Sequence, residues 1–251
     1  GGLSGTALKY IAMTTMLADH IGAVLLERIV YYRGNLEQVA MLMTSQWGDT
    51  LYWLWRMLRT VGRIAFPIYC FLLVEGFLHT RDWRRYWLRM AAFALISEIP
   101  FRLAVWNTWA GGSSNVYVEL AIGLLVLRGL KQSEGLTQPR RAAGMAAVIG
   151  GGCLAAVFLK ADYDMDGILI ISLFYLLREK RIVQVMSGGI LSLLESWNMC
   201  YGAGILSAVP LYFYNGKKGQ APWKYAFYWF YPLHLMVLFF IRLYVVGIPL
   251  G

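Results

Sequence analysis

Charge is what this chain has least of. Only 15% of its 251 residues are charged, against roughly a quarter in soluble domains, and 59% are hydrophobic. That balance excludes a water-bathed globular enzyme and leaves an integral membrane protein. Cysteine is scarce too. Cys70, Cys153 and Cys200 each fall in or beside an apolar stretch, which excludes a disulfide framework or a metal set and makes them small core residues. There is no Rossmann or P-loop glycine pattern, no internal repeat and no low-complexity tail, so no soluble nucleotide-binding domain is present. No cleavable signal peptide is read, and the opening Gly1-Gly2 without Met reads as a trimmed end. The net charge of +9 does not imply nucleic acid, because the basic residues are dispersed over short loops.

What the chain has is apolar length. Windows of roughly 17–25 residues are needed to span a bilayer, and candidates lie at about 6–31, 61–80, 86–106, 116–131, 141–160, 165–178, 182–196, 199–214 and 225–247. The expectation is one all-α domain over 1–251, a polytopic transmembrane helix bundle of about nine spans. Basic residues set its orientation. Arg81, Arg84, Arg85 and Arg89 share one loop; Arg128, Lys131, Arg140 and Arg141 a second; Arg178, Lys180 and Arg181 a third; Lys217, Lys218 and Lys224 a fourth. The alternate loops are nearly bare, and 160–166 sets Lys160 against Asp162, Asp164 and Asp166. By the positive-inside rule the first set is cytoplasmic, with the N-terminus inside and the C-terminus outside. Segment 32–60 breaks the pattern with Arg33, Arg56 and Arg59 on the outer side. Its Trp47, Trp53 and Trp55 beside these arginines suit an interfacial helix; a tenth span over 39–58 is the alternative.

Ionisable groups at membrane depth are costly, so they line cavities, relays or reaction sites. In the first window Asp19-His20 follows Lys9 by ten and eleven residues, with Glu27 seven beyond His20. Eleven helical residues return close to the same face and rise roughly 16 Å, so Lys9 and His20 share a face half a bilayer apart. His20 is the favoured reactive group, because imidazole exchanges a proton near neutral pH; a plain interhelical hydrogen bond is its bland alternative. Arg63 opens the second span, where Pro67 bends it and frees a carbonyl. Glu75 and His79 close it four residues apart, as cavity wall or as a local cap. Glu98 and Arg102, also four apart around Pro100, form a neutralising pair or face a substrate. Asn115 and Glu119 belong to the same outer side, where Asp162 and Asp164 read as solvated. Tyr225, Tyr228, Tyr231, Pro232 and His234 form a stripe on the last span, either aromatic packing or cavity wall.

A series of blocks then forms a pattern in order: Leu8-Lys9 with Asp19-His20-Ile21-Gly22, Gly62-Arg63-Ile64-Ala65-Phe66-Pro67 leading to Glu75-Gly76, Ser97-Glu98-Ile99-Pro100-Phe101, Tyr214-Asn215-Gly216-Lys217-Lys218-Gly219, and Tyr225 through His234. Together they resemble the TraX family, named for a pilin acetylase and similar to the broader superfamily of integral membrane acyltransferases. In that superfamily a basic residue, usually Arg, precedes an essential His by eleven positions; Lys9 and His20 keep the spacing, without Arg's bidentate fork. The chain departs from the family at Arg102, where Asp is common, at Glu119, where Thr is frequent, and at Asp164, where Gly is. All three are on the expected outer side, which leaves the acceptor open among a peptide amine, a glycan or glycolipid hydroxyl and a small metabolite.

The resemblance implies an acetyltransferase of the bacterial cytoplasmic membrane with acetyl-CoA as co-substrate and no metal. His20 would be general base or acetyl carrier, with Asp19 or Glu75 orienting it. Lys9, Arg63, Glu75, His79, Arg84, Arg85, Lys217 and Lys218 would receive the donor, the basic groups meeting CoA phosphates and Lys9 or Arg63 the thioester oxyanion. Glu98, Asn115, Tyr231 and His234 would meet the acceptor. Two other classes compete: a proton-coupled transporter with Asp19, His20 and Glu27 as relay, weakened by the absence of paired broken spans in two halves, and a non-enzymatic scaffold.

Overall fold

A computed structural model describes residues 1–31, 44–220, 223 and 225–247. The expectations for 32–43, which include the start of the interfacial helix, and for Lys224 lie outside the described residues. Eleven α-helices are described: α1 Gly5–Ile21, α2 Glu27–Tyr31, α3 Gln46–Gly62, α4 Ala65–His79, α5 Trp83–Phe101, α6 Val116–Ser133, α7 Arg140–Phe158, α8 Asp164–Leu176, α9 Arg181–Cys200, α10 Ala208–Tyr212 and α11 Ala226–Ile241. The fold is all-α, and among the described residues the strand-like pairing is one isolated bridge, Leu3 with Tyr214.

Local chemistry fixes the helix ends. Ser4 caps α1 by accepting from the Ala7 N–H, Asp82 caps α5 from Arg85, and Asn115 caps α6 from Tyr117, each satisfying a first-turn donor. The rest of α1's opening turn is met across the fold: Gly5 N–H donates to the Lys217 carbonyl at 2.8 Å and Thr6 N–H to Lys218 at 2.9 Å. The loop making that contact turns at Gly216 (φ 73°) and Gly219 (φ 75°), a left-handed backbone that glycine adopts without steric cost. At their far ends α1, α5 and α11 run on as π-helical turns, Gly22–Leu26, Arg102–Trp106 and Arg242–Val246. Asn107 and Gly247, both left-handed, stop the last two.

The molecule is apolar outside and carries charge inside. Leu95, Leu154 and Phe158 are 80%, 73% and 86% exposed, whereas Glu119 and Arg242 are fully buried. Solvent-facing apolar surface of this kind belongs in lipid, and the chain is a membrane protein. Arg242 closes the bundle by donating to the carbonyls of Ala104 and Leu103 and to Asn107 Oδ1 at 2.6–2.9 Å.

One expectation changes here. Among the described residues three helical stretches are long and apolar enough to cross a membrane, Trp47–His79, Arg140–Phe158 and Ala226–Val245, so helix length and hydropathy do not carry a count of nine. Window 199–214 in particular holds only a 3₁₀ turn, Ala203–Ser207, followed by the five-residue α10, too short for a straight crossing at 1.5 Å per residue. The described part of segment 32–60 forms α3, which runs through a turn at Arg63 and Ile64 into α4 and packs along α1. The break lies where expected, because Pro67 has no N–H to return to the Arg63 carbonyl.

Candidate functional site

Among the described residues, two cavities lie at opposite ends of the bundle. One, of about 750 Å³, is framed by the end of α1, the α3–α4 junction, the end of α5, loop residues Asp162 and Tyr163, and the end of α9. The other, of about 520 Å³, is framed by the start of α1, the end of α4, the start of α5, the Tyr214–Gly219 loop and the start of α11. Both fall in the range of roughly 300–1,000 Å³ usual for ligand pockets. Tyr69 lines both. Beside it Tyr117, from the smaller cavity, packs edge-on against Tyr231, from the larger, with ring centroids 5.3 Å apart.

His20 lines the larger cavity and its partner comes from α11. His20 Nδ1 lies 2.6 Å from His234 Nε2, and His234 Nδ1 lies 2.7 Å from the Phe230 carbonyl. A carbonyl only accepts, so His234 carries its proton on Nδ1 and its Nε2 accepts from His20 Nδ1–H. In the neutral pair this leaves the lone pair of His20 on Nε2, with the tautomer set by His234 and, behind it, the Phe230 carbonyl. The two rings lie edge to edge along this bond, with centroids 4.9 Å apart and planes 22° apart, and Tyr231 meets His20 edge-on at 5.8 Å.

Asp19, one residue earlier, faces α3. Its carboxylate takes Arg59 at 2.8 Å and Arg63 at 3.0 Å, while Arg59 also approaches Glu27 at 3.6 Å and Arg63 approaches Glu195 at 3.9 Å. Adjacent helical residues diverge by about 100°, which is why Asp19 is tied to arginines while His20 meets His234. Asp19 thus anchors the α3–α4 junction against α1, and a Cβ on Gly62 would collide with the Asp19 side chain. Asp162, exposed in its loop, opens onto this cavity and accepts from Ser113 Oγ at 3.3 Å.

The smaller cavity gathers Lys9, Glu75, His79, Arg89 and Lys218 among aromatic walls. Lys9 Nζ sits 4.9 Å above the Phe227 ring, a cation–π contact. Glu75 accepts from Tyr214 Oη at 3.1 Å, and His79 Nδ1 donates to the Glu75 carbonyl at 2.8 Å, so these two are joined through backbone and not as a carboxylate–imidazole pair.

Of the expected donor residues, then, Lys9, Glu75, His79 and Lys218 are brought together. Arg63 belongs to the other cavity, and Arg84, Arg85 and Lys217 are exposed outside both, with Arg85 paired to Asp82 at 3.0 Å. Of the expected acceptor residues, Tyr231 lines the His20 cavity and His234 backs it. Glu98 and Asn115 line neither cavity: Glu98 holds Arg102 at 2.8 Å and accepts from Asn115 Nδ2 at 2.6 Å, as a cap joining α5 to α6. Sequence reasoning missed Arg59, Tyr69, Arg89 and Glu195. Arg59 had a signal, four residues before Arg63 and so on the same helix face. Among the described residues no group of three His, Cys, Asp or Glu gathers to hold a metal.

The sequence matches the family described as TraX protein over residues 4–242. The chain belongs to the TraX family. It is 29% identical over 236 residues to the probable fimbrial assembly protein FimC, serogroup H1, of Dichelobacter nodosus, covering 81% of this chain and 88% of that one. No solved structure matches. Each of the sequence blocks contributes to a cavity: Asp19-His20, Gly62 to Phe66, Phe101 and Tyr231 to the larger, and Lys9, Glu75-Gly76, Tyr214 to Lys218 and Tyr225 to Tyr228 to the smaller.

Proposed function

We propose that this TraX protein is a multi-pass acetyltransferase of the bacterial cytoplasmic membrane, taking acetyl from acetyl-CoA on the cytoplasmic side and passing it to an acceptor amine or hydroxyl from the outer side. The observation that carries the reading is the pairing of a tautomer-fixed His20 in one cavity with a cationic, aromatic-walled cavity entered from the opposite end of the bundle. Acetyl-CoA would lie in the second cavity, with Lys9, Lys218 and Arg89 meeting its phosphates and the pantetheine arm running inward to Tyr69. The acceptor would occupy the first.

His20 Nε2 takes the proton of the attacking amine or hydroxyl as it adds to the thioester carbonyl. When the C–S bond breaks, the imidazolium returns that proton to the departing CoA thiolate. Atoms balance without a metal or redox partner, and a positioned base of this kind is worth roughly 10²–10⁴ in rate. The family's association with pilin modification and the fimbrial relative favour an acceptor in surface-appendage assembly.

A transporter would need Asp19, His20 and Glu27 as a free proton relay, but Asp19 and Glu27 are both held to Arg59. The test is release of free CoA from acetyl-CoA by the detergent-purified protein with crude envelope extract as acceptor. Turnover lost in His20→Ala supports the enzyme; no turnover and no acetyl-CoA binding by calorimetry contradict it, and pH-gradient-dependent flux in liposomes would then replace it.

A further inference from the structure

Acyl transfer through a tetrahedral intermediate needs a hydrogen-bond donor for the thioester oxygen as it gains charge, and base and substrate cavities alone do not supply one. The wall between the cavities contains a candidate with an idle proton. The Tyr231 hydroxyl is buried and donates to no acceptor among the described residues; the Val116 amide at the start of α6, which it faces, can only donate to it. Buried tyrosine hydroxyls normally find an acceptor, so an unused O–H beside a reactive imidazole asks for a ligand.

Its position suits that ligand. Tyr231 lines the His20 cavity, meets the His20 ring edge-on at 5.8 Å and packs at 5.3 Å on Tyr117, which lines the Lys9 cavity. The carbonyl of an acetyl group threaded past Tyr69 would therefore reach the wall where Tyr231 and His20 meet. Arg59 and Arg63 each keep a buried Nε without a hydrogen bond among the described residues, but their charge is committed to Asp19 on the α3 side, and Arg59 Nε also faces Glu27.

We infer that Tyr231 is a catalytic residue, donating its hydroxyl to the thioester oxygen while His20 takes the acceptor's proton. The inference rests on the acetyltransferase reading. In the step, the acceptor's N or O bonds to the carbonyl carbon, the C=O electron pair moves onto oxygen as an oxyanion held by Tyr231 Oη–H, and the acceptor's proton passes to His20 Nε2. Collapse restores C=O, breaks C–S and returns the proton to sulfur; Tyr231 keeps its proton throughout.

The test compares Tyr231→Phe with the wild type and with 3-fluorotyrosine incorporated at 231, measuring acetyl-CoA affinity and kcat for CoA release with envelope extract. Fluorination leaves the hydroxyl and the packing in place while making the O–H a stronger donor, so it serves even if the Phe variant folds poorly. Expected are an unchanged acetyl-CoA affinity, a kcat reduced roughly 10²–10³-fold in Tyr231→Phe, as for loss of one oxyanion donor, and a kcat raised by fluorotyrosine. Full activity in Tyr231→Phe, or a kcat lowered or unmoved by fluorotyrosine, overturns the inference while leaving the acetyltransferase intact. A wild type that neither binds acetyl-CoA nor releases CoA overturns both.

Discussion

At the residue scale the account depends on two imidazoles 214 positions apart. His20 was singled out in the sequence by its depth in the first window and its spacing from Lys9. Its orienting partner was not: the adjacent Asp19 is the natural guess from sequence, but helix geometry turns the carboxylate toward α3, and no local pattern announces a contact between the first helix and the last. His234→Ala removes the acceptor that holds His20 in one tautomer. We expect kcat for CoA release to fall roughly 10²-fold, the lower end of what a positioned base supplies, with acetyl-CoA affinity unchanged. His234→Gln, whose side-chain carbonyl can accept the same N–H, recovers part of the loss. Steady-state kinetics on the three proteins check this, and equal kcat in all of them would remove His234 from the mechanism.

At the scale of elements, the junction of α1 with α3 and α4 is held by one carboxylate between two guanidiniums, with side-chain exposures of 10–13%. Removing one partner of a buried ion set leaves the other charges uncompensated, at about 3–5 kcal/mol. Asp19→Ala should therefore lower the Tm in detergent more than Asp82→Ala, which loses the N-cap of α5 and a surface pair whose arginine is 82% exposed, together about 1–2 kcal/mol. Gly62→Ala tests the same junction sterically. Its methyl would meet the Asp19 side chain, so thermal stability and CoA release should fall together, whereas Gly150→Ala, which meets nothing within 4 Å, should leave both unchanged. Helix positions from α5 to α9 were largely readable from the apolar windows 86–106, 116–131, 141–160, 165–178 and 182–196, which overlap those helices; the caps at Ser4, Asp82 and Asn115 were not read. The role of α3 was not readable, because tryptophans beside arginines suit a headgroup layer equally well. Only the packed fold turns Arg56 to the Met199 carbonyl and Arg59 to Asp19.

At the scale of the whole molecule, the basic loops and the Lys9 cavity lie at one end and the acidic Asp162 loop with the His20 cavity at the other. If the positive-inside orientation holds, a membrane-impermeant maleimide applied to spheroplasts labels Trp109→Cys and spares Arg84→Cys until the membrane is opened. The native cysteines are buried and should stay silent. The reverse pattern would put the donor cavity outside, away from acetyl-CoA. The division of labour between the two cavities is the central claim, and it is tested most directly by measuring CoA affinity and CoA release side by side in the wild type, in Lys9→Ala with Lys218→Ala, and in His20→Ala. The account predicts that the double lysine variant loses affinity, and that His20→Ala binds CoA as the wild type does while releasing none from acetyl-CoA. Loss of CoA binding in His20→Ala, or unchanged binding without the two lysines, would contradict it.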